Sequence, residues 1–504
     1  MARYRPSDYL PPDVLARPDF REACANRDLG AIFNIAAQRA GPGFTRSHIA
    51  RRCEMGVSRV IDYIEGRMHA QTIDVFERVS DGLHIPGAML GVGRREWEGS
   101  VESGNSAVSE SQREWVRERQ LLNRNRAPLT QIALSLYPES IRLGRTGFLM
   151  REDWKVDHPV DLDQAGIELI HPPDPVVTGR HEETLRVRPL SSTGKPYESY
   201  HRAMRDLDRP RLFENRICYR LLDARFGQDQ GNLSLGYMRY FDMIDLGEAL
   251  AHELAVHALS KDGTLTRKPP QILWEELPFR GFAGDPFDLA SYPLLFSIST
   301  LTIRRSRARN TFVLLRRGVE NVAIAGGMLS VMPTGVFQPA SIMPTHNDDD
   351  FNLWHNMMRE YSEEFLGNPE HDGDGDPIDY ENQEPFRSLS AARREGRIKV
   401  HYLGTGLDAL NFVGDALTVA VFDAETFDDI FRDMVETNEE GTIAKDGKTL
   451  ENYVFDDATI ECLLTEEAVA PSGAACLTLA RQHRAALLPL DSTAFRKSLK
   501  AQTS

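Results

Sequence analysis

A nine-residue run, Arg-Glu-Tyr-Ser-Glu-Glu-Phe-Leu-Gly at 359–367, constrains the fold more than any other segment of this chain. Its glutamates, Glu360, Glu363 and Glu364, are spaced i, i+3 and i+4, so on an α-helix they share one face. Three carboxylates on one face repel each other unless water or a hard divalent cation such as Mg²⁺ relieves them. The opposite face carries apolar residues at helical spacing that can enter a core: Trp354, Met358, Tyr361 and Phe365.

This run resembles the second half of a Nudix box, although Leu366 stands where the pattern has glycine and Gly367 follows one place late. The resemblance implies a Nudix-like α/β/α domain whose glycine-rich segment, 326–338, precedes the glutamate helix. It also implies that Glu363 and Glu364 hold Mg²⁺ or Mn²⁺. Glu360 would then be the catalytic base or a further ligand when water attacks a nucleoside-diphosphate linkage.

The first half of the box departs from the family pattern. Counting on from Gly335 places Ser341 where a glutamate belongs, and counting back from Arg359 places Phe351 there. The loop 339–350 is lengthened, and Asp348 to Asp350 are placed to cap the helix. Because metal-assisted hydrolysis needs tight geometry around the attacking water, the altered loop favours ligand sensing over hydrolysis. An active hydrolase, a structural or dimerising domain and, for the glutamates alone, a solvated helix face are the alternatives.

Near the N-terminus, short helical patterns alternate with turn residues. Thr45 is placed to cap a helix over 45–55, and Ser58 is placed to cap the next, over 58–65. A further amphipathic helix is predicted over 72–81. Helix, short turn, helix and supporting helix form the helix-turn-helix pattern, which binds DNA.

Residues 45–50 and 56–67 resemble the Cro/CI-type (XRE) helix-turn-helix family, and 74–86 resembles the version common in actinobacterial regulators. The resemblance implies a homodimer that binds double-stranded DNA with the second helix of the motif in the major groove. Arg46 stands where the family often has Gln, which favours a phosphate contact over base reading. A helical bundle that binds only protein is the alternative. By position, the resemblance implies contacts with DNA bases or phosphates for Ser58, Arg59, Asp62 and Tyr63. It implies contacts with the DNA backbone for Arg46, Ser47 and Arg67.

Length and composition indicate a multidomain chain. With 504 residues, about three domains are expected. No apolar run reaches membrane-spanning length and no signal core follows Met1, so we expect a cytoplasmic protein without a membrane partner. The net charge of −16 disfavours a general coat of nucleic acid but allows one local basic surface. We divide the chain into a helix-turn-helix domain (1–91), a linker and connector helix (92–137), an α+β middle segment (138–275) and a Nudix-like domain (276–504).

Two further clusters do not predict metal sites. His252 and His257 are five residues apart on a predicted helix, whereas zinc-binding pairs need i, i+4, so packing or capping is expected for them and for Glu253. The acidic run 371–379 has Pro377 where an EF-hand calcium loop has its glycine at position six, which favours a solvated loop.

These patterns lead to three functional hypotheses. The first is a DNA-binding transcriptional regulator whose Nudix-like domain senses a small ligand, such as a nucleotide or sugar-nucleotide. The second is a Mg²⁺-dependent Nudix hydrolase of a nucleoside diphosphate derivative, with a DNA-targeting domain. The third is an interaction scaffold.

Overall fold

The computed structural model describes residues 9–39, 44–70, 72–98, 106–210, 213–226, 231–267, 274–317, 328–340, 350–369, 378–435, 441–443 and 453–489. Contacts divide the chain into an N-terminal unit, Met1–Ser106, and a C-terminal unit, Ala107–Ser504. The segments 138–275 and 276–504, which the sequence analysis separated, belong to this one C-terminal unit. Along the chain, a helical region with helices between 18 and 135 precedes a mixed α/β region.

The N-terminal unit is built from helices. They are α1 (Pro12–Leu15), α2 (Pro18–Ala25), α3 (Leu29–Arg39), α4 (Arg46–Arg52), α5 (Val57–Ile64), α6 (Ile73–Leu83) and α7 (Gly87–Leu90), followed by a 3₁₀ turn, Glu96–Glu98. Two glycines let these helices approach closely. A Cβ on Gly30 of α3 would overlap the carbonyl of Tyr63, and a Cβ on Gly82 of α6 would overlap the carbonyl of Arg52. Both positions therefore need glycine for packing, not for backbone conformation.

The C-terminal unit begins with two buried helices. The sequence after the linker predicts a solvated connector helix that breaks or kinks at Pro128, whereas the structure has α8 (Ser106–Arg124) and α9 (Arg126–Ser135), which are separated at Asn125. Pro128 lies inside the first turn of α9, where its missing N–H costs nothing. Trp115 and Leu122 of α8 are buried in the main core, so this segment is not a solvated connector.

The remaining helices of this unit are α10 (Tyr200–Leu207), α11 (Tyr240–Met243), α12 (Ala249–Ala258), α13 (Pro278–Ala283), α14 (Leu353–Glu360), α15 (Phe386–Arg394), α16 (Ala424–Ile430), α17 (Asp457–Glu466), α18 (Pro471–Gln482) and α19 (Arg484–Leu487). Two π-helical turns interrupt them, Ile244–Glu248 between α11 and α12 and Tyr361–Phe365 after α14. Short 3₁₀ turns lie at Glu139–Ile141, Glu152–Trp154, Leu162–Gln164, Glu182–Val187 and Trp274–Glu276.

The strands of the C-terminal unit are β1 (Phe148–Leu149), β2 (Lys155–Asp161), β3 (Ala165–Leu169), β4 (Ile217–Phe226), β5 (Gly231–Arg239), β6 (Phe296–Arg305), β7 (Thr311–Phe312), β8 (Leu314–Arg317), β9 (Leu329–Val331), β10 (Thr334–Val336), β11 (Ile398–Asp408), β12 (Gly414–Asp423), β13 (Gly441–Ile443) and β14 (Tyr453–Val454). Sequence patterns predict strands over 217–226, 398–403 and 416–422, and the structure confirms all three as β4, β11 and β12. β11 ends later than predicted, and β12 is longer at both ends.

The largest sheet curls into a half-barrel with the order β1-β11-β12-β6-β7-β14. β2 also pairs with β11, and β10 pairs with β6. β6 and β12 are parallel, whereas their other neighbours are antiparallel. Two three-stranded sheets accompany it, with orders β13-β8-β9 and β3-β5-β4. The acidic run at 371–377 and most of the lengthened loop, 341–349, lie outside the described residues.

A buried carboxylate joins the first helices to the core of this unit. Glu248, in the first π-helical turn, has no exposed surface. Arg119 of α8 donates to it at 2.9 Å, and Arg126 of α9 donates to both of its oxygens at 2.8 and 2.7 Å. Burial raises the pKa of Glu248, but the two guanidinium groups outweigh burial and hold the pKa below its usual range.

We expect Glu248→Ala to lower the free energy of unfolding of the C-terminal unit by about 3–5 kcal/mol, because it leaves two buried guanidinium groups without their carboxylate. The matched control is Glu461→Ala, which removes an ion pair with Arg481 at 2.8 Å in which the Glu461 side chain is 61% exposed, and should cost about 0–1 kcal/mol. Urea unfolding of the full chain measures both. Equal losses of unfolding free energy in the two variants would contradict the role of Glu248 as the buried partner of Arg119 and Arg126.

Candidate DNA-binding surface and glutamate helix

The helix-turn-helix segment is α4, a turn and α5. Thr45 caps α4 as expected, since its side chain accepts a hydrogen bond from the amide of His48 at 3.2 Å. The cap predicted for the next helix is wrong. Gly56 is the N-cap of α5, and Ser58 lies within its first turn. Glycine suits an N-cap almost as well as a side-chain acceptor does, which is why sequence spacing alone misplaced the start.

Four of the predicted contact residues lie on the surface. Arg46 and Ser47 are exposed in the first turn of α4, and Ser58 and Arg59 are exposed in the first turn of α5. Neither arginine forms an ion pair with any residue that the structure describes. These two helix starts therefore present positive charge and hydroxyl groups to solvent.

Asp62 and Arg67 are joined to each other. Asp62 is half-buried and accepts two hydrogen bonds from the Arg67 guanidinium, at 2.9 and 2.6 Å. Arg67 also pairs with Glu65, although its own side chain is 58% exposed. The positive charge of Arg67 is thus largely neutralised within the unit, which weakens it as a phosphate ligand compared with Arg46 or Arg59.

Tyr63 lies in the core and not on the surface that the resemblance implied. Its relative exposure is 4%, and its ring packs edge-on against Phe33 with 6.0 Å between centroids. A residue that the sequence analysis missed is Val57, the first residue of α5, which is 41% exposed. Its position directly after the N-cap glycine was the available signal.

The glutamate helix consists of α14 and the π-helical turn that follows it. Asn352 caps its start by accepting from the amides of Trp354 at 2.8 Å and His355 at 3.2 Å, so the cap predicted at Asp350 is wrong. Because the π turn changes the helical spacing, the three glutamates do not share one face evenly. Glu364 is buried, whereas Glu360 and Glu363 are half-buried.

The glycine-rich segment and the glutamate helix do come together. The amide of Thr334 in β10 donates to Glu364 Oε1 at 3.0 Å. The Glu360 carboxylate lies so close over Gly335 that a Cβ at that position would overlap it. Two of the three glutamates therefore face β10 and pack against its backbone.

Arg359 forms a second polar cluster on this helix. It is buried and donates to Asp350 Oδ1 at 3.2 Å, to the Tyr380 hydroxyl at 2.7 Å and to Asn356 Oδ1 at 2.9 Å. Burial lowers the pKa of Arg359, but Tyr380 and Asp350 outweigh it and raise the pKa above its usual value. Asp350, which the sequence predicted as a helix cap, is thus the carboxylate partner of Arg359.

The surroundings of the glutamates bear on whether they could hold a divalent cation. Within the described ranges, no group of three or more His, Cys, Asp or Glu side chains is arranged to hold a metal ion. Glu364 is engaged by the Thr334 amide and Glu360 lies against Gly335, so their carboxylates are directed to the protein backbone. The described residues do not by themselves complete a site for the Mg²⁺ or Mn²⁺ that the Nudix resemblance implied, and Asp348 and Asp349 of the lengthened loop lie outside them.

The histidines of the middle segment take structural positions. His252 is fully buried and interacts with the Tyr200 hydroxyl at 2.8 Å and with Glu118 at 3.2 Å. Glu253 accepts from the amides of Phe279 and Arg280 at 2.7 and 2.9 Å, which satisfies the start of α13. No disulfide joins the five cysteines, all of which lie in described ranges, and no described helix is long and apolar enough to cross a membrane.

The chain matches no protein-family model, and no curated protein matches it. Any assignment of function therefore depends on the chain's own residues.

We expect Gly335→Ala to displace the Glu360 carboxylate and to destabilise the C-terminal unit by about 1 kcal/mol or more. In a Glu360→Ala background most of that cost should disappear, which gives a coupling of at least about 0.5 kcal/mol in a double-mutant cycle. Gly281→Ala, whose new Cβ meets its nearest neighbour only at 3.8 Å, is the control and should be additive with Glu360→Ala. Additivity of Gly335→Ala with Glu360→Ala in chemical unfolding would contradict the contact.

Proposed function

We propose that this chain is a cytoplasmic DNA-binding transcriptional regulator whose C-terminal unit senses a small ligand. The observation that carries the proposal is the pair of helix starts at α4 and α5, which expose Arg46, Ser47, Ser58 and Arg59 on a well-packed helical unit. Exposed positive charge in this arrangement suits the phosphate backbone, although the chain as a whole carries a net charge of −16.

In this proposal, α5 enters the major groove. Arg59 contacts a guanine edge or a phosphate, Ser58 contacts a phosphate or base, and Val57 packs against a thymine methyl group. Arg46 and Ser47, at the start of α4, contact the phosphate backbone, where the partial positive charge of the helix terminus adds to binding. Tyr63 is removed from the contact set because it is buried. Asp62 and Arg67 orient each other at the end of α5.

A homodimer would place two copies of α5 on half-sites about one helical turn apart. The proposal therefore includes an operator with two-fold symmetry.

The Nudix-like character of the C-terminal unit belongs to the proposal as well. Its support is the approach of β10 to the glutamate helix and the buried Arg359 cluster. The hydrolase remains the second candidate, and the altered loop 339–350, which has no glutamate where the family's first one stands, favours sensing over hydrolysis. We therefore assign the C-terminal unit a sensing role, in which a ligand must bind two states of the protein with different affinity.

Arg59→Ala should weaken binding to DNA from the region upstream of the protein's own gene by about 1–3 kcal/mol, roughly five-fold to 150-fold. If Arg59 contacts a phosphate, the slope of log K against log salt should also fall by about one unit. Fluorescence anisotropy with labelled duplex at several salt concentrations measures both quantities.

Arg21→Ala is the matched control. Arg21 is exposed on α2, outside the helix-turn-helix segment, so the variant makes the same charge change and should leave affinity within about two-fold. Wild-type protein that shows no salt-sensitive DNA binding, or an equal loss in Arg21→Ala and Arg59→Ala, would contradict the proposal.

A further inference from the structure

A cleft in the C-terminal unit lies away from the glutamate helix. It opens between α8 and the C-terminal end of α12, and its volume is about 180 Å³. Pockets that take drug-sized ligands measure roughly 300–1,000 Å³. The cleft therefore has room for a molecule of a few heavy atoms and is too small to enclose a nucleotide.

The lining of the cleft combines an aliphatic wall with a charged rim. Leu121 of α8, together with Val256 and Leu259 at the end of α12, supplies the wall. The cationic rim consists of Arg117, Arg186 and Lys261, and the anionic rim of Glu114 and Glu118. Such a lining suits a ligand with a short apolar body and a charged end.

The charges of the rim do not cancel. Glu118 pairs with Arg186 at 2.7 Å and with His252 at 3.2 Å. Burial raises the pKa of Glu118, but His252 and Arg186 outweigh it and lower the pKa to about 2, so Glu118 stays ionised. Arg117 lies 3.6 Å from Glu114, and Lys261 has no ion pair among the described residues. The rim therefore carries one excess positive charge, which favours an anion.

Lys261 lies on a hydrogen-bonded turn. The amide of Ser260 donates to the carbonyl of Thr264 at 2.9 Å, and the amide of Thr264 donates to the Ser260 hydroxyl at 3.1 Å. Gly263 has φ +85°, and a Cβ there would lie 2.8 Å from Leu121 of α8. The positive φ of Gly263 favours glycine at that position of the turn, and the turn places Lys261 at the rim of the cleft.

We propose that this cleft binds a small aliphatic carboxylate, with the carboxylate between Lys261 and Arg117 and the alkyl part against Leu121 and Leu259. The further step, that this ligand is the effector of DNA binding, rests on the proposed function. α8 follows residues 99–105, which lead from the helix-turn-helix unit. On α8, Glu118 lines the cleft, and Arg119 donates to the buried Glu248. A ligand in the cleft would therefore contact α8, the helix that Arg119 also ties to the buried core.

Thermal unfolding of the full chain tests the binding step. The probes are acetate, butyrate, isovalerate and pyruvate, each compared with its neutral amide. At least one carboxylate should raise the Tm by about 2 °C or more, its amide should not, and added salt should reduce the shift. Lys261→Gln and Arg117→Gln should each abolish most of the shift. Lys195→Gln, an exposed position outside the cleft, makes the same charge change as Lys261→Gln and should keep the shift.

The carboxylate proposal is overturned if none of the four anions shifts the Tm, if the amides act as well as the acids, or if Lys261→Gln responds like Lys195→Gln. DNA binding measured on the same samples separates the two claims. DNA binding without a carboxylate-induced rise in Tm would contradict only the cleft proposal. A cleft-dependent carboxylate shift without DNA binding would remove the proposed function and leave the site.

Discussion

The C-terminal unit depends on a carboxylate that has no contact with solvent. An unpaired buried charge of this kind costs several kcal/mol, so Glu248 is tolerable only because Arg119 and Arg126 reach it from two helices. The π-helical turn that carries Glu248 places it between these helices. The pairing with Glu248 therefore holds α8 and α9 against the core.

This constraint gives α8 its importance. Four residues of this helix line the cleft, Glu114, Arg117, Glu118 and Leu121, and Arg119, which follows Glu118 directly, lies in the buried cluster. It is also the first helix after the N-terminal unit. In the proposed regulator, a ligand that changes the position of α8 must work against the Glu248 pairing, so it would act by favouring one of two discrete arrangements. The glutamate helix, in contrast, contacts the backbone of β10 through Glu364 and Glu360.

Features that depend on neighbouring residues could be predicted from the sequence, whereas contacts between residues far apart in the chain could not. Strands such as β4 and the cap at Thr45 depend on neighbouring residues, so their patterns sufficed. The pairing of Arg126 with Glu248 joins residues 122 positions apart, which spacing cannot reveal. The same limit applies to Asp350 and Arg359, whose contact depends on how the lengthened loop returns to the helix. The π turn displaced the glutamates from the face that regular helical spacing predicted, because a local change in helical register leaves no periodic signature.

In the proposed regulator, DNA is bound at the starts of α4 and α5. Hydrogen–deuterium exchange of the full chain, with and without duplex DNA from its own upstream region, can locate this contact. DNA should slow exchange in peptides covering Arg46–Arg52 and Val57–Ile64, and exchange in strands β6 and β12 should stay unchanged. Protection confined to the C-terminal unit, or no protection in these two helices under conditions where DNA is bound, would contradict it.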